Sequence, residues 1–120
     1  MFSPTVLDHF RNPRNAGDLP NPTAVVEVTN PLCGDVLRLA VRVEGGVIVE
    51  VRFKTQGCVA AIASSSMLTE MVRGRRLEEV RAVGREEISA VLGGLPPATG
   101  HGAQLAAEAL QALLARLGAV

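Results

Sequence analysis

Residues 36–55, VLRLAVRVEGGVIVEVRFKT, decide the fold. Two alternating apolar runs, Leu37, Leu39, Val41, Val43 and then Val47, Val49, Val51, Phe53, are separated by Glu44-Gly45-Gly46 alone. Alternation with a period of two places every second side chain on one face of a strand. A connection this short, with glycine free to take left-handed angles, makes the pair a β-hairpin. Matching apolar face to apolar face sets Val43 opposite Val47 around a three-residue loop. Counting outward then pairs Leu37 with Phe53, Asp35 with Thr55, and Cys33 with Gly57, the neighbour of Cys58. A two-residue loop would set Cys33 against Cys58 and mix apolar with charged faces. Either register brings the two cysteines to the same end of the hairpin.

Working outward, residues 24–29, AVVEVT, form a third strand ended by Asn30-Pro31. Before it, Ser3-Pro4 is an N-cap followed by proline at the first helical position, opening a short helix to about Arg11. Pro13, Pro20 and Pro22 make residues 12–23 a loop. After the hairpin the pattern is helical. Residues 59–73 bury Ala63, Met67 and Met71 on one face, and Gly74 stops the helix. Shorter helices are expected over Leu77–Ala82 and Arg85–Leu92. A final helix over Gly102–Leu117 carries Leu110, Leu113, Leu114 and Leu117 in one stripe. Strands followed by helices, without alternation, give an α+β fold: a three-stranded antiparallel sheet covered by helices, with a helix at each end of the chain.

The 120 residues, 48% hydrophobic, are read as one domain over 1–120 with a core of its own. Formal charge is zero and the aromatics are three phenylalanines. Without a basic stripe or stacking platform, nucleic-acid binding is not expected. Apolar runs fall short of a membrane span. The opening residues MFSPTVLDHFRNPRN lack the pattern of a secretory leader, so a cytoplasmic location and reduced thiols are expected. Eleven of the twelve basic residues are arginine; Lys54 is the exception.

Chemistry concentrates in three short stretches. Cys33 and Asp35 sit in NPLCGD, at the entry to the second strand, two residues apart and so pointing the same way in extended chain. Cys58 sits in TQGCVAA, between a strand and a helix, where the free N–H groups and dipole of the helix favour a thiolate. His101 stands between two glycines ahead of the last helix. Alone, His101 reads as a surface residue at a helix end, and the cysteines as loop residues; the hairpin register favours a site. Two Cys, a His and an Asp suit zinc or iron–sulfur ligation, although their spacing is that of no zinc finger. His9 reads as a helix-face residue. Ser64, Ser65 and Ser66 lie inside a helix, without the strained elbow of a hydrolase nucleophile, and read as small residues for close helix packing. GGLPPATGHG lacks the Lys-Ser/Thr of a phosphate loop. No Cys-x-x-Cys redox motif exists.

The stretches LDHFRNPRNAGDL, CGDVLRLAVRV, VRFKTQGCVAAIASSSMLTEMVRG and LGGLPPATGHGAQLAAEAL together resemble the IscU-type, NifU N-terminal-like iron–sulfur cluster assembly scaffolds, from about Leu7 to Leu114. The resemblance implies a non-enzymatic scaffold that binds iron and holds a two-iron two-sulfur cluster for transfer to apo-proteins. Sulfur would come as a persulfide from a cysteine desulfurase, and iron or zinc would occupy the same site. It assigns Cys33, Asp35, Cys58 and His101 as metal ligands, Asp35 tuning cluster lability, and matches Lys54 to the family's lysine in FKT, with a supporting role. The family's third cysteine would follow the histidine directly, and that position is Gly102. Members served by a dedicated chaperone carry Leu-Pro-Pro-Val-Lys where this chain has Leu95-Pro96-Pro97-Ala98-Thr99, which weakens the case for that partner. The alternative reading is a zinc-binding module of the same fold, structural or regulatory. A cysteine restored at position 102 is expected to strengthen cluster retention.

Overall fold

The structure is a computed structural model and describes residues 1–31 and 34–119. Its elements are α1 (Pro4–Arg11), β1 (Ala24–Thr29), β2 (Val36–Glu44), β3 (Val47–Gln56), α2 (Val59–Val72), α3 (Leu77–Val80), α4 (Arg85–Val91), a 3₁₀ turn (Pro97–Thr99) and α5 (His101–Arg116). The strands form one antiparallel sheet in the order β1-β2-β3. Helices α2 and α5 cover one face, α2 lying on β3 and α5 on β1 and β2. This is the expected α+β architecture. Among the described residues no helix is long and apolar enough to cross a membrane.

The hairpin differs from its expected register. The loop is the two-residue Gly45-Gly46, with φ of 57° and 77°, and Glu44 faces Val47. Left-handed angles at both positions are those of a type I′ turn, whose twist suits the flanking strands. Such a turn alone would mix the faces, and a bulge corrects it. Val43 pairs with Ile48 and Arg42 with Glu50, so Val49 has no partner. Beyond the bulge apolar again meets apolar: Val41 faces Val51, Leu39 faces Phe53, and Leu37 faces Thr55 rather than Phe53. Ile48, fully buried, replaces Val47 and Val49 in the core. The ladder is thus offset by two residues from a three-residue loop, and Asp35, not Cys33, comes to lie against Gly57. The pairing expected for Cys33 itself lies outside the described residues.

Local chemistry explains the helices. Ser3 caps α1 by accepting the Val6 N–H at 3.1 Å, and its hydroxyl donates to the Leu92 carbonyl. Helix α2 is buried nearly all round, between α1, α5 and β3. Its core face differs slightly from the expected one. Ala63, Leu68 and Val72 are buried, while Met67 and Met71 are only half-buried. In α5, Leu110, Leu113 and Leu114 are fully buried and Leu117 packs at the margin.

A polar clamp fastens α1 and the following loop to α2. His9 is 3% exposed, with Nδ1 2.8 Å from Ser66 Oγ and Nε2 3.2 Å from Glu70 Oε1. Ser66 Oγ also accepts the Arg14 backbone N–H at 2.9 Å. With that acceptor role filled, the serine proton is free for His9 Nδ1, and Nε2–H donates to Glu70, so the neutral tautomer satisfies every partner. Burial above all, and then Arg14, hold the His9 pKa below its ordinary range, opposed by Glu70 and Asp8. Asn15 donates to Thr69 Oγ1 at 3.0 Å, while its carbonyl accepts the Phe53 N–H at 3.0 Å. The loop thereby covers the outer edge of β3, which would otherwise expose unpaired backbone groups.

Candidate metal centre

Three of the expected ligands converge at the end of the hairpin remote from its turn. Asp35 immediately precedes β2, in a turn where the Gly34 N–H donates to the Asn30 carbonyl and the Asn30 N–H to the Asp35 carbonyl, both at 2.8 Å. Asp35 is buried, with 7% of its surface exposed. Cys58 is the N-cap residue of α2, with extended backbone angles and no capping bond from its sulfur. The thiol is exposed and donates to Asp35 Oδ2 at 3.5 Å. His101 is the first residue of α5, not its predecessor, and its Nε2 lies 3.9 Å from Cys58 Sγ. One carboxylate oxygen, the sulfur and one ring nitrogen lie within 4.8 Å of one another.

The donor set fits a borderline-soft metal. A sulfur and a ring nitrogen bound to one tetrahedral ion at ordinary bond lengths stand about 3.6 Å apart, close to the separations present. Thiolate and imidazole suit zinc or iron, and a carboxylate adds negative charge beside a helix N-terminus that already favours it. The three groups come from the turn before β2, the N-cap of α2 and the first turn of α5, so packing rather than chain proximity assembles them. On the α5 side the imidazole borders a cavity of about 380 Å³ whose wall includes Arg85, Gln104 and Glu108.

The remaining site residues fall differently. Cys33, the fourth expected ligand, lies outside the described residues. Lys54 is on the exposed face of the sheet, opposite Arg38, with its Nζ 3.1 Å from Asp18 Oδ2. It does not join Asp35, Cys58 and His101. Gly102 is buried in the first turn of α5 against α2; an ideal Cβ there would stand 2.6 Å from the Ala60 carbonyl carbon. No motif singles out Gly57, yet a Cβ on it would stand 2.7 Å from Asp35 Cγ. Its only signal in the sequence is its place before Cys58. The three serines of α2 are buried, as close packing requires, and Ser66 meets His9 rather than His101.

A helix-covered antiparallel sheet with thiol, imidazole and carboxylate gathered at one end defines the class: an α+β domain built around a candidate metal centre. The family model of the NifU-like N-terminal domain matches residues 1–118, and the chain belongs to that family. The resemblance read from its motifs is borne out. The chain is 44% identical over 111 residues to iron-sulfur cluster assembly scaffold protein IscU 1 of Archaeoglobus fulgidus, covering 92% of this chain and 72% of that protein. It is 43% identical over 118 residues to IscU of Escherichia coli, covering 95% and 91%. Among solved structures, the N-terminal NifU-like protein of Brucella abortus superposes with a TM-score of 0.79, covering 97% and 93% of the two chains. At 21% identity it speaks for the fold alone.

Proposed function

We infer that this chain is an iron–sulfur cluster assembly scaffold, in which residues 1–120 act as one domain that carries a two-iron two-sulfur cluster as cargo. The observation that carries the reading is the convergence of Asp35, Cys58 and His101 in a chain whose relatives are named as IscU scaffolds. Cys33, two residues ahead of Asp35, is proposed as the remaining protein ligand and Lys54 as a supporting cation. With Gly102 in place of a third cysteine, the proposed set is two thiolates, an imidazole and a carboxylate. Oxygen is a harder ligand than thiolate and holds iron less firmly at such a site. An exposed, mixed-ligand site of this kind favours release as well as capture. The chain would receive sulfur from a cysteine desulfurase and pass the cluster to apo-proteins in the cytoplasm, working by holding and yielding cargo rather than by turnover. The backbone N–H groups at the start of α2 favour negative charge at Cys58, and α5 brings the His101 imidazole within reach of its sulfur.

The test is metal analysis after anaerobic purification, followed by reconstitution with iron and sulfide under a visible absorption spectrum. Cluster absorption that is lost in Cys58→Ala and weakened in His101→Ala is the expected result. Stoichiometric zinc, with no cluster formed on reconstitution, would overturn the scaffold reading in favour of a zinc-binding module.

A further inference from the structure

Eight of the twelve glycines have left-handed backbone angles, which explains them without reference to their neighbours. Four do not: Gly57, Gly84, Gly100 and Gly102. At these positions the backbone accepts any L-residue, so the surroundings must explain the glycine. Gly100 has ordinary space, and Gly84 meets only the mobile end of the Glu87 side chain at 3.1 Å. Gly57 and Gly102 are the two at which a Cβ would stand closer than 3.0 Å to a neighbour and force a shift. One directly precedes Cys58 and the other directly follows His101.

We propose that Gly57 and Gly102 are positioning residues of the metal site, each holding a ligand in place by admitting another group where a side chain would stand. This rests on the metal-site reading above. At Gly57 the admitted group is the Asp35 carboxylate. A Cβ would lie 2.7 Å from its carbon and 3.0 Å from both oxygens, so the carboxylate rests on bare Cα and reaches Cys58 Sγ from there. A side chain at 57 displaces the carboxylate from the position in which it meets the sulfur. At Gly102 the admitted group is the peptide between Ala60 and Ala61, in the first turn of α2. A Cβ would stand 2.6 Å from the Ala60 carbonyl carbon, 2.8 Å from its oxygen and 2.8 Å from the Ala61 nitrogen. Helix backbone gives way less readily than a side-chain end, so a side chain at 102 forces the first turn of α5, which carries His101, to shift against α2. Gly102 is therefore the contact that seats α5 on α2. On this proposal a cysteine at 102 weakens binding, against the gain that the family resemblance implies.

Cobalt(II) supplies the probe, because its visible absorption reports thiolate ligation and its titration gives an affinity without any assembly assay. Metal-free wild type, Gly57→Ala, Asp35→Ala, the double variant, Gly102→Ala and Gly102→Cys are titrated, with far-UV circular dichroism establishing that each is folded. Groups that orient metal ligands are typically worth tenfold or more in affinity, so Gly57→Ala is expected to bind cobalt about tenfold more weakly than wild type. In the Asp35→Ala background, where the carboxylate no longer occupies the space, the same change should alter affinity by less than about twofold. A purely structural role for Gly57 would persist undiminished in that background. Gly102→Ala and Gly102→Cys are both expected to weaken binding, although one adds no ligand and the other adds a thiol. The proposal is overturned if Gly57→Ala binds as wild type does, if its loss is unchanged without Asp35, or if Gly102→Cys binds more tightly with added sulfur-to-cobalt absorption. Failure of wild type to bind cobalt at all would strike the metal-site reading instead. Should the Gly102 variants not fold, the Gly57 and Asp35 cycle still decides.

Discussion

Two serines two residues apart on α2 should respond in opposite senses to the same substitution. Ser64 and Ser66 are both fully buried. Ser66 serves the clamp, meeting His9 Nδ1 at 2.8 Å and accepting the Arg14 N–H at 2.9 Å. The Ser64 hydroxyl has no hydrogen-bond partner among the described residues. Replacing either by alanine deletes one buried oxygen and gains about 0.5 kcal/mol of helix propensity, so these contributions cancel in the comparison. Ser66→Ala also removes two hydrogen bonds of about 1 kcal/mol each and leaves a buried ring nitrogen unsatisfied, which can raise the loss further. Set against the propensity gain, the net destabilisation is about 2–3 kcal/mol. Ser64→Ala removes a desolvated hydroxyl that nothing repays and should be neutral or stabilising by up to about 1 kcal/mol. The two variants should therefore differ by about 3 kcal/mol. For a chain of this size that corresponds to about 10 °C in melting temperature. Urea denaturation followed by far-UV circular dichroism, with equal m-values confirming comparable transitions, measures the difference. Equal destabilisation by the two substitutions would show that volume loss, not the clamp, sets the cost, and the account of α1 docking would be wrong.

The clamp also predicts a pH dependence. Because the His9 pKa is lower in the fold than in the unfolded chain, stability is complete above about pH 6.5 and is lost as pH falls through the depressed folded value. The denaturation midpoint should decline between about pH 7 and pH 5, and His9→Gln should flatten that slope; an unchanged slope contradicts the assignment. Asp8 and Glu50, whose carboxyls are held low chiefly by hydrogen bonds from Arg14 and Arg52, act in a separate window below about pH 4.5. At the turn, Gly45→Ala should destabilise by about 1–2 kcal/mol through backbone strain alone, since nothing lies within 4 Å of an ideal Cβ there. Gly45→Asn should lose less because asparagine tolerates left-handed angles, and equal losses in a thermal melt would argue against the type I′ assignment.

Much of this architecture is legible in the sequence, and the parts that are not share a physical reason. Alternation in residues 36–55 fixes which side chains share a face, but registers two residues apart preserve that parity equally well. Leu37 opposite Phe53 and Leu37 opposite Thr55 are therefore indistinguishable from the pattern alone, and the turn with its bulge at Val49 makes the choice. The clamp is similarly hidden. His9 and Ser66 are 57 residues apart, and neither sequence context announces a buried imidazole. Cysteine, aspartate and histidine are legible as metal-ligand types, and the hairpin topology brings Cys33 and Cys58 to one end, with Asp35 two residues beyond Cys33. What brought His101 within reach of Cys58 was the seating of α5 on α2, a contact between helices that no local pattern encodes.

That seating explains how an exposed site can still be preformed. Cys58 begins a helix that is buried nearly all round and held along its length by the His9 and Thr69 contacts, so the sulfur has a rigid mount. Asp35 is held by its own turn and by the bare Cα of Gly57. His101 depends on the first turn of α5, whose contact with α2 is backbone against backbone at Gly102. The site thus draws its geometry from helix and sheet packing while Cys58 is an exposed residue. For cargo that must be gained and given up, this division has a consequence. A proposed ligand set with one thiolate fewer leaves this frame intact, because Asp35, Cys58 and His101 are placed by contacts that other residues make.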